Sequence, residues 1–279
     1  MNSIYRSGQG KEEVLNFYRE MLDHWPCPLT MHQLNTSLGL TSVMEWGESN
    51  APALLLLHGS SSNSLMWMGD AAIFGRNYHV FSIDIPGECG MSDKTRIAFS
   101  PGTHAAWLVE IMTLLELTTV YLVSNSLGSW IALDLAIRYP QRVEKLVLLA
   151  AAGLTPIRPS ALFWIIFTSL TGRWGFNILN RKIYGSIPMD SQALAFASLV
   201  KKHFLPRTEI LPVFDGPELE KIRCPVLYLG GDHDLFYNSQ KAANHLEGNV
   251  SGARAEVLEN TGHVLVNLSG DIIKFLTDN

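Results

Sequence analysis

The chain has 279 residues, 47% of them hydrophobic and 17% charged, with 21 Lys and Arg against 26 Asp and Glu for a net charge of −5. That apolar content can fill a substantial core and excludes a disordered chain, and the acidic balance, with no basic run, excludes a nucleic-acid partner. The longest markedly apolar stretch, residues 161–170, falls well short of the roughly 20 residues of a membrane-spanning helix.

Residues 1–16 are polar and charged where a secretory leader would carry an apolar block. Residues 11–25 place apolar side chains at helical spacing, and 31–46 read as two strands joined around Gly39, an antiparallel edge. From residue 53 onward, short runs of Val, Ile and Leu alternate with longer amphipathic ones. Strands are predicted at 53–57, 79–85, 120–124, 145–150 and 226–230, with a further strand just ahead of residue 259. Helices are predicted at 65–74, 104–117, 127–139, 240–246 and 264–276. Such alternation builds a mostly parallel sheet covered by helices on both faces, an α/β fold. Residues 152–224 break the pattern with Phe163, Trp164, Phe167, Trp174, Phe176 and Tyr184 among helical spacings. They are predicted to form an inserted helical cap on a single core made of 1–151 and 225–279, its aromatic rings either walling a ligand site or packing the cap onto the sheet.

The three cysteines, Cys27, Cys89 and Cys224, are far apart and lack a CxxC spacing. Neither a disulfide framework nor a zinc site is expected, and a reducing cytoplasm is the expected compartment.

Val120-Tyr-Leu-Val-Ser-Asn-Ser126-Leu-Gly128 runs from a buried strand through a sharp turn into a helix that Pro140 stops. In a turn of this kind a central serine is lifted above the sheet edge, and small flanking residues let strand and helix backbones approach. Gly128 is one such residue; Ser124 stands where the GxSxG pattern has the other glycine. An ordinary loop serine would fit the same run, so its surroundings decide.

A serine hydroxyl needs a base to take its proton, and histidine suits that task near neutral pH. Of nine histidines, His263 sits in the glycine-containing loop Glu259-Asn-Thr-Gly-His263, between the last strand and the last helix. His24 and His32 lie at the N-terminal edge, and His79, His104 and His245 fall in or beside regular elements. The imidazole in turn needs a carboxylate to fix its tautomer. The strand ending at Gly231 opens into Asp232-His233-Asp234, at the carboxyl end of a parallel strand where reacting groups gather. Asp234, further into the loop, is chosen over Asp232; either could instead form a turn. A leucine-rich strand opens at His58-Gly59-Ser60 into a polar loop, and the backbone N–H of Ser60, with that of Leu127, is placed to receive a developing oxyanion. The His58 side chain is read as holding this loop.

Together these residues resemble the α/β-hydrolase superfamily, in its esterase-like branch with a cap between the sixth and seventh sheet segments. The resemblance covers roughly residues 40–279. It rests on His58-Gly59, on Asp84-Ile-Pro-Gly87 with Gly90 and Ser92, on the Ser126 turn, on Ile222-Arg-Cys-Pro225, on Gly231-Asp-His-Asp234 and on Gly262-His263. It implies the α/β-hydrolase fold, a nucleophile at Ser126, an acid at Asp234, a base at His263 and oxyanion amides at Ser60 and Leu127. The chain departs from the family pattern at Ser124 and in the Asp84 loop, which has one residue more between its glycines than the common DxPGxGxS form, a difference read as a structural turn.

The expected activity is hydrolysis of small to medium uncharged carboxylic esters through an acyl-enzyme, without metal or organic cofactor, by a monomer or homodimer. Two alternatives remain open. One keeps the serine but changes the reaction to carbon–carbon cleavage, peracid formation, amide hydrolysis or acyl transfer. The other is a ligand-binding or signalling module that retains the three residues but turns over little.

Overall fold

The computed structural model describes residues 3–185 and 190–278. Helix α1 (Gly8–Leu22) starts three residues before its predicted position because the Ser7 side chain caps it, accepting from the Gly10 N–H. Strands β1 (Thr30–Thr36) and β2 (Gly39–Trp46) form a hairpin, and Gly39 turns it at a φ of 94°. After β3 (Ala53–Leu57) the single helix predicted at 65–74 is two pieces, a 3-10 turn (Ser64–Trp67) and α2 (Ala71–Phe74). Gly69 and Asp70, weak helix formers, separate them.

Strand β4 (His79–Ile83) gives way at Asp84 to a loop that leads to α3 (Thr103–Leu114), and α3 stops short of its predicted end near Glu116, which has a φ of 57°. Next come β5 (Val120–Asn125), α4 (Leu127–Arg138) and β6 (Val143–Leu149). The 152–224 segment carries α5 (Pro159–Leu170), α6 (Gly172–Tyr184), α7 (Ser191–His203) and α8 (Gly216–Leu219). The chain then returns through β7 (Val226–Gly231), α9 (Ser239–Asn249), β8 (Arg254–Leu258) and α10 (Ser269–Thr277). The last helix begins five residues after its predicted start, because Asn267 takes a left-handed φ of 60° that a continuous helix does not allow.

Among the described residues the strands make one eight-stranded sheet in the order β1-β2-β4-β3-β5-β6-β7-β8. The two pairings that involve β2 are antiparallel and the others parallel. The predicted alternation therefore yields the expected architecture, a mostly parallel sheet between helices. The leucine run of β3 shows why such strands read as unbroken apolar stretches. Leu55 and Leu57 point into a core with Trp107, Ile111 and Trp130, whereas Leu54 and Leu56 point into one with Tyr18, Trp46 and Phe275 on the opposite face. All four leucines are fully buried, each contributing about 1.5–3 kcal/mol.

The aromatic rings of α5 and α6 pack chiefly on one another, with Phe167 stacked on Phe163 at 5.9 Å and edge-on to Trp174 at 6.1 Å. Phe163 and Trp174 remain 59% and 62% exposed, so these two do not pack onto the sheet. The Phe176 side chain lies outside the described residues. Helix α7 lies against α1, with Glu13 bonded to Lys202 and His203 at 3.2 and 2.8 Å.

Register sets the position of the site. Leu57 pairs with Ser124, Ser124 with Leu148, and Gly231 with Leu258, so the loops leaving β3, β5, β7 and β8 emerge along one edge. At that edge α4 crosses β3 so closely that a Cβ on Gly128 would lie 2.6 Å from the Leu57 carbonyl and 2.7 Å from that of His58. Gly128→Ala is accordingly expected to lower stability by about 1–3 kcal/mol. Chemical denaturation measures this, and an unmoved midpoint would show that the crossing has slack.

Candidate active site

Between β5 and α4, Ser126 has φ 48° and ψ −107°, a region that costs a non-glycine residue about 1–3 kcal/mol and persists only where its surroundings enforce it. Backbone hydrogen bonds enforce it here. The Ser126 N–H donates to the Leu149 carbonyl at 2.9 Å, while its own carbonyl accepts from the N–H groups of Ser129 and Ala152 at 3.0 and 3.2 Å. Ser124, in place of the usual glycine, is fully buried and satisfied. Its hydroxyl lies 3.1 Å from the Val147 carbonyl and 3.2 Å from Ser129 Oγ, and the Ser129 hydroxyl donates back to the Ser124 carbonyl at 3.0 Å. Ser129 thus lets the turn accept a serine at 124, a pairing the sequence pattern alone gave no reason to look for.

The structure brings Ser126, His263 and Asp234 together. His263 Nε2 is 3.0 Å from Ser126 Oγ, and His263 Nδ1 is 2.8 Å from Asp234 Oδ2. A carboxylate accepts only, so Nδ1 carries the ring proton and the Nε2 lone pair faces the hydroxyl. Asp234 is fixed in turn, its Oδ1 accepting from the N–H groups of Phe236 and Tyr237 at 2.7 and 3.1 Å, with 1% of the residue exposed. The Phe236 ring stands edge-on to the imidazole at 4.7 Å, an apolar wall beside it.

Asp232 has a different place. Its Oδ1 accepts the Thr261 N–H at 3.0 Å, and that bond, more than any other influence, holds its carboxyl below the usual range. Asp232 therefore ties down the loop that carries His263. The same loop is bonded to the end of α6, where the Ile183 carbonyl accepts from the N–H groups of His263 and Val264 at 2.8 and 3.1 Å. A Cβ on Gly262 would fall 2.4 Å from that carbonyl, which is why glycine precedes His263. No sequence signal marks Ile183, because its contribution is a backbone oxygen.

The loop after β3 passes over the serine, so that a Cβ on Gly59 would meet Asn125 Oδ1 at 2.7 Å and Ser126 Cβ at 3.5 Å. Among the described residues, the backbone N–H groups of Ser60 and Leu127 have no acceptor. His58 Nδ1 donates to the Gly59 carbonyl at 2.8 Å and Nε2 accepts the Ile85 N–H at 2.9 Å, while burial pushes its pKa down. A neutral ring in this tautomer braces the loop.

Three of the other histidines named above are engaged elsewhere. His79 bonds Glu45 at 2.6 Å, and His245 bonds the Phe214 carbonyl at 2.9 Å. His104 stacks on Phe99 at 4.3 Å, and burial pushes its pKa down to about 4. Among the described residues no group of three His, Cys, Asp or Glu side chains is placed to hold a metal ion, and no helix is long and apolar enough to cross a membrane.

Known proteins resemble this chain over most of its length. Carboxylesterase YbfK of Bacillus subtilis is 28% identical over 267 residues, covering 91% of this chain and 89% of the relative. The crystal structure of that carboxylesterase, also called CesB, superposes with a TM-score of 0.86 at 25% identity, covering 96% of this chain and 99% of the other. The naproxen esterase of Bacillus subtilis shares the fold, with a TM-score of 0.87 at 24% identity over 98% of this chain and all of the other. The profile of the alpha/beta hydrolase family matches residues 54–272, which include all three hydrogen-bonded residues, and the chain belongs to that family.

Proposed function

We propose that this protein is a carboxylesterase-like serine hydrolase in which Ser126 is the nucleophile, His263 the general base and Asp234 the acid that orients it. The continuous hydrogen-bonded chain from Asp234 through His263 to Ser126 carries this reading. His263 Nε2 takes the Ser126 proton as Oγ attacks the ester carbonyl, and the N–H groups of Ser60 and Leu127 receive the negative charge that develops on oxygen. The protonated imidazole returns its proton to the leaving alcohol. A water deprotonated by the same histidine then releases the acid from the acyl-enzyme.

The 152–224 segment is the inserted cap over this site. The bonds from His263 and Val264 to Ile183 support that placement, since they join the end of α6 to the histidine loop. Small to medium uncharged esters are the substrates, a choice supported by the apolar Phe236 ring beside His263 and by similarity to carboxylesterases. A reducing cytoplasm is its compartment, in keeping with three free thiols at Cys27, Cys89 and Cys224.

Steady-state assay with a short-chain aryl ester tests the reading. Sustained turnover by the native chain is expected, and Ser126→Ala should lower kcat by about 10⁴-fold or more with its fold intact. A single burst equal to the enzyme, followed by no steady rate, would instead favour a binding module. Asp234→Asn should lower kcat by about 10⁴-fold, because the amide stabilises the wrong imidazole tautomer. Asp232→Asn should cost under about tenfold, since its amide oxygen can still accept the Thr261 N–H. Reversed sizes for these two effects would exchange the two aspartates in the mechanism.

A further inference from the structure

The loop after β4 contains a buried acid that the proposed reaction does not use. Glu88 lies in the stretch that makes the Asp84 loop one residue longer between Gly87 and Gly90 than the common family form, and it is 1% exposed. Its Oε2 accepts the Ser61 N–H at 2.7 Å, and its Oε1 lies 3.3 Å from Arg207 Nε. Ser61 immediately follows Ser60 and has a left-handed φ of 56°, a conformation that needs an external hold in a residue other than glycine.

On its far side the carboxylate meets an arginine by charge alone. Arg207, its side chain 7% exposed, donates through Nη1 to the Ile97 carbonyl at 3.0 Å and lies 4.8 Å over the Phe99 ring. Arg96 donates to the carbonyls of Gly87 and Leu205 at 2.9 and 2.6 Å, fixing both ends of the charged cluster. Burial pushes the Glu88 carboxyl up to about 7 against the opposing pull of the Ser61 amide, Arg207 and Arg96. A buried ion pair is commonly no more stabilising than apolar side chains of similar volume, so stability alone is a weak reason for this one. Its distinctive contact is a backbone N–H one residue from an oxyanion donor.

We infer that Glu88 is a positioning residue whose buried carboxylate grips the Ser61 N–H, locks Ser61 in its left-handed turn and so aims the Ser60 N–H at the acyl oxygen. Arg207, in the chain leaving α7, holds the carboxylate from behind. The longer turn is thus a support for the oxyanion loop, beyond the structural turn that its sequence suggested. The inference rests on the esterase reading above.

Three variants assayed with the same aryl ester test it, each by kcat, KM and denaturation midpoint. Glu88→Met should lower kcat by about 10- to 100-fold, less than outright loss of an oxyanion donor, with KM changed under about threefold because substrate binding precedes the charge development. Glu88→Gln keeps an oxygen that can accept the Ser61 N–H and should recover most of that kcat, although it removes the charge facing Arg207. The double variant Glu88→Met with Arg207→Met leaves no unpaired buried charge and should regain stability relative to Glu88→Met, while kcat stays low. A double variant with native kcat, or a Gln variant as slow as the Met variant, would reduce Glu88 to a partner for Arg207 and overturn the inference. The native chain run alongside separates the two claims. If it fails to turn over, the esterase reading falls and this role with it, whereas native turnover with undiminished kcat in Glu88→Met removes only the role of Glu88.

Discussion

The hydrogen bond between His263 Nε2 and Ser126 Oγ joins residues 137 positions apart, and most of the surrounding architecture can be understood as what is needed to hold those two atoms at 3.0 Å. On one side stands a backbone turn in a costly conformation, pinned to β6 through Leu149 and to the following loop through Ala152. On the other stands a loop with little regular structure, tied down by Asp232, Asp234 and the Ile183 carbonyl. A rigid sheet between them fixes the separation, because parallel strands in register bring their carboxyl ends to a common edge.

Buried carboxylates recur as the fastening device. Asp84 collects the Ser64 N–H, the Met91 N–H and the Tyr18 hydroxyl at 2.9, 2.7 and 3.1 Å. Asp134 collects the N–H groups of Gly102 and Ala105 together with Arg138. Asp234 and Glu88 do the same for the loops after β7 and β3. Each accepts backbone N–H groups that would otherwise lack partners where the chain is irregular. Loops without a ladder of their own thereby acquire fixed geometry, which a site built largely from loops requires.

Local pattern made the framework legible. The Leu54–Leu57 run, the Val and Ile clusters of β5 to β7 and the helical spacing of α4 follow from burial on one or two faces, a property each segment carries in its own side chains. The misjudged boundaries share a different cause. The 65–74 helix splits and the last helix starts late because single residues, Gly69 with Asp70 and the left-handed Asn267, interrupt spacings that are otherwise helical. Ser124 reads as a departure from a small-residue pattern until Ser129, in the first turn of α4, is seen to share its hydrogen bonds.

By itself the sequence determined the alternation of strands and helices, the strand that leads into Ser126, and the chain order of serine, aspartate and histidine, since these depend on residue type and spacing along the chain. Only the tertiary structure decided that Asp234 meets the imidazole while Asp232 meets the Thr261 amide, that Ile183 reaches the histidine loop, and that Glu88 lies beneath Ser61. Those contacts join segments from different elements. Their geometry follows from sheet register and backbone direction, which no single segment encodes.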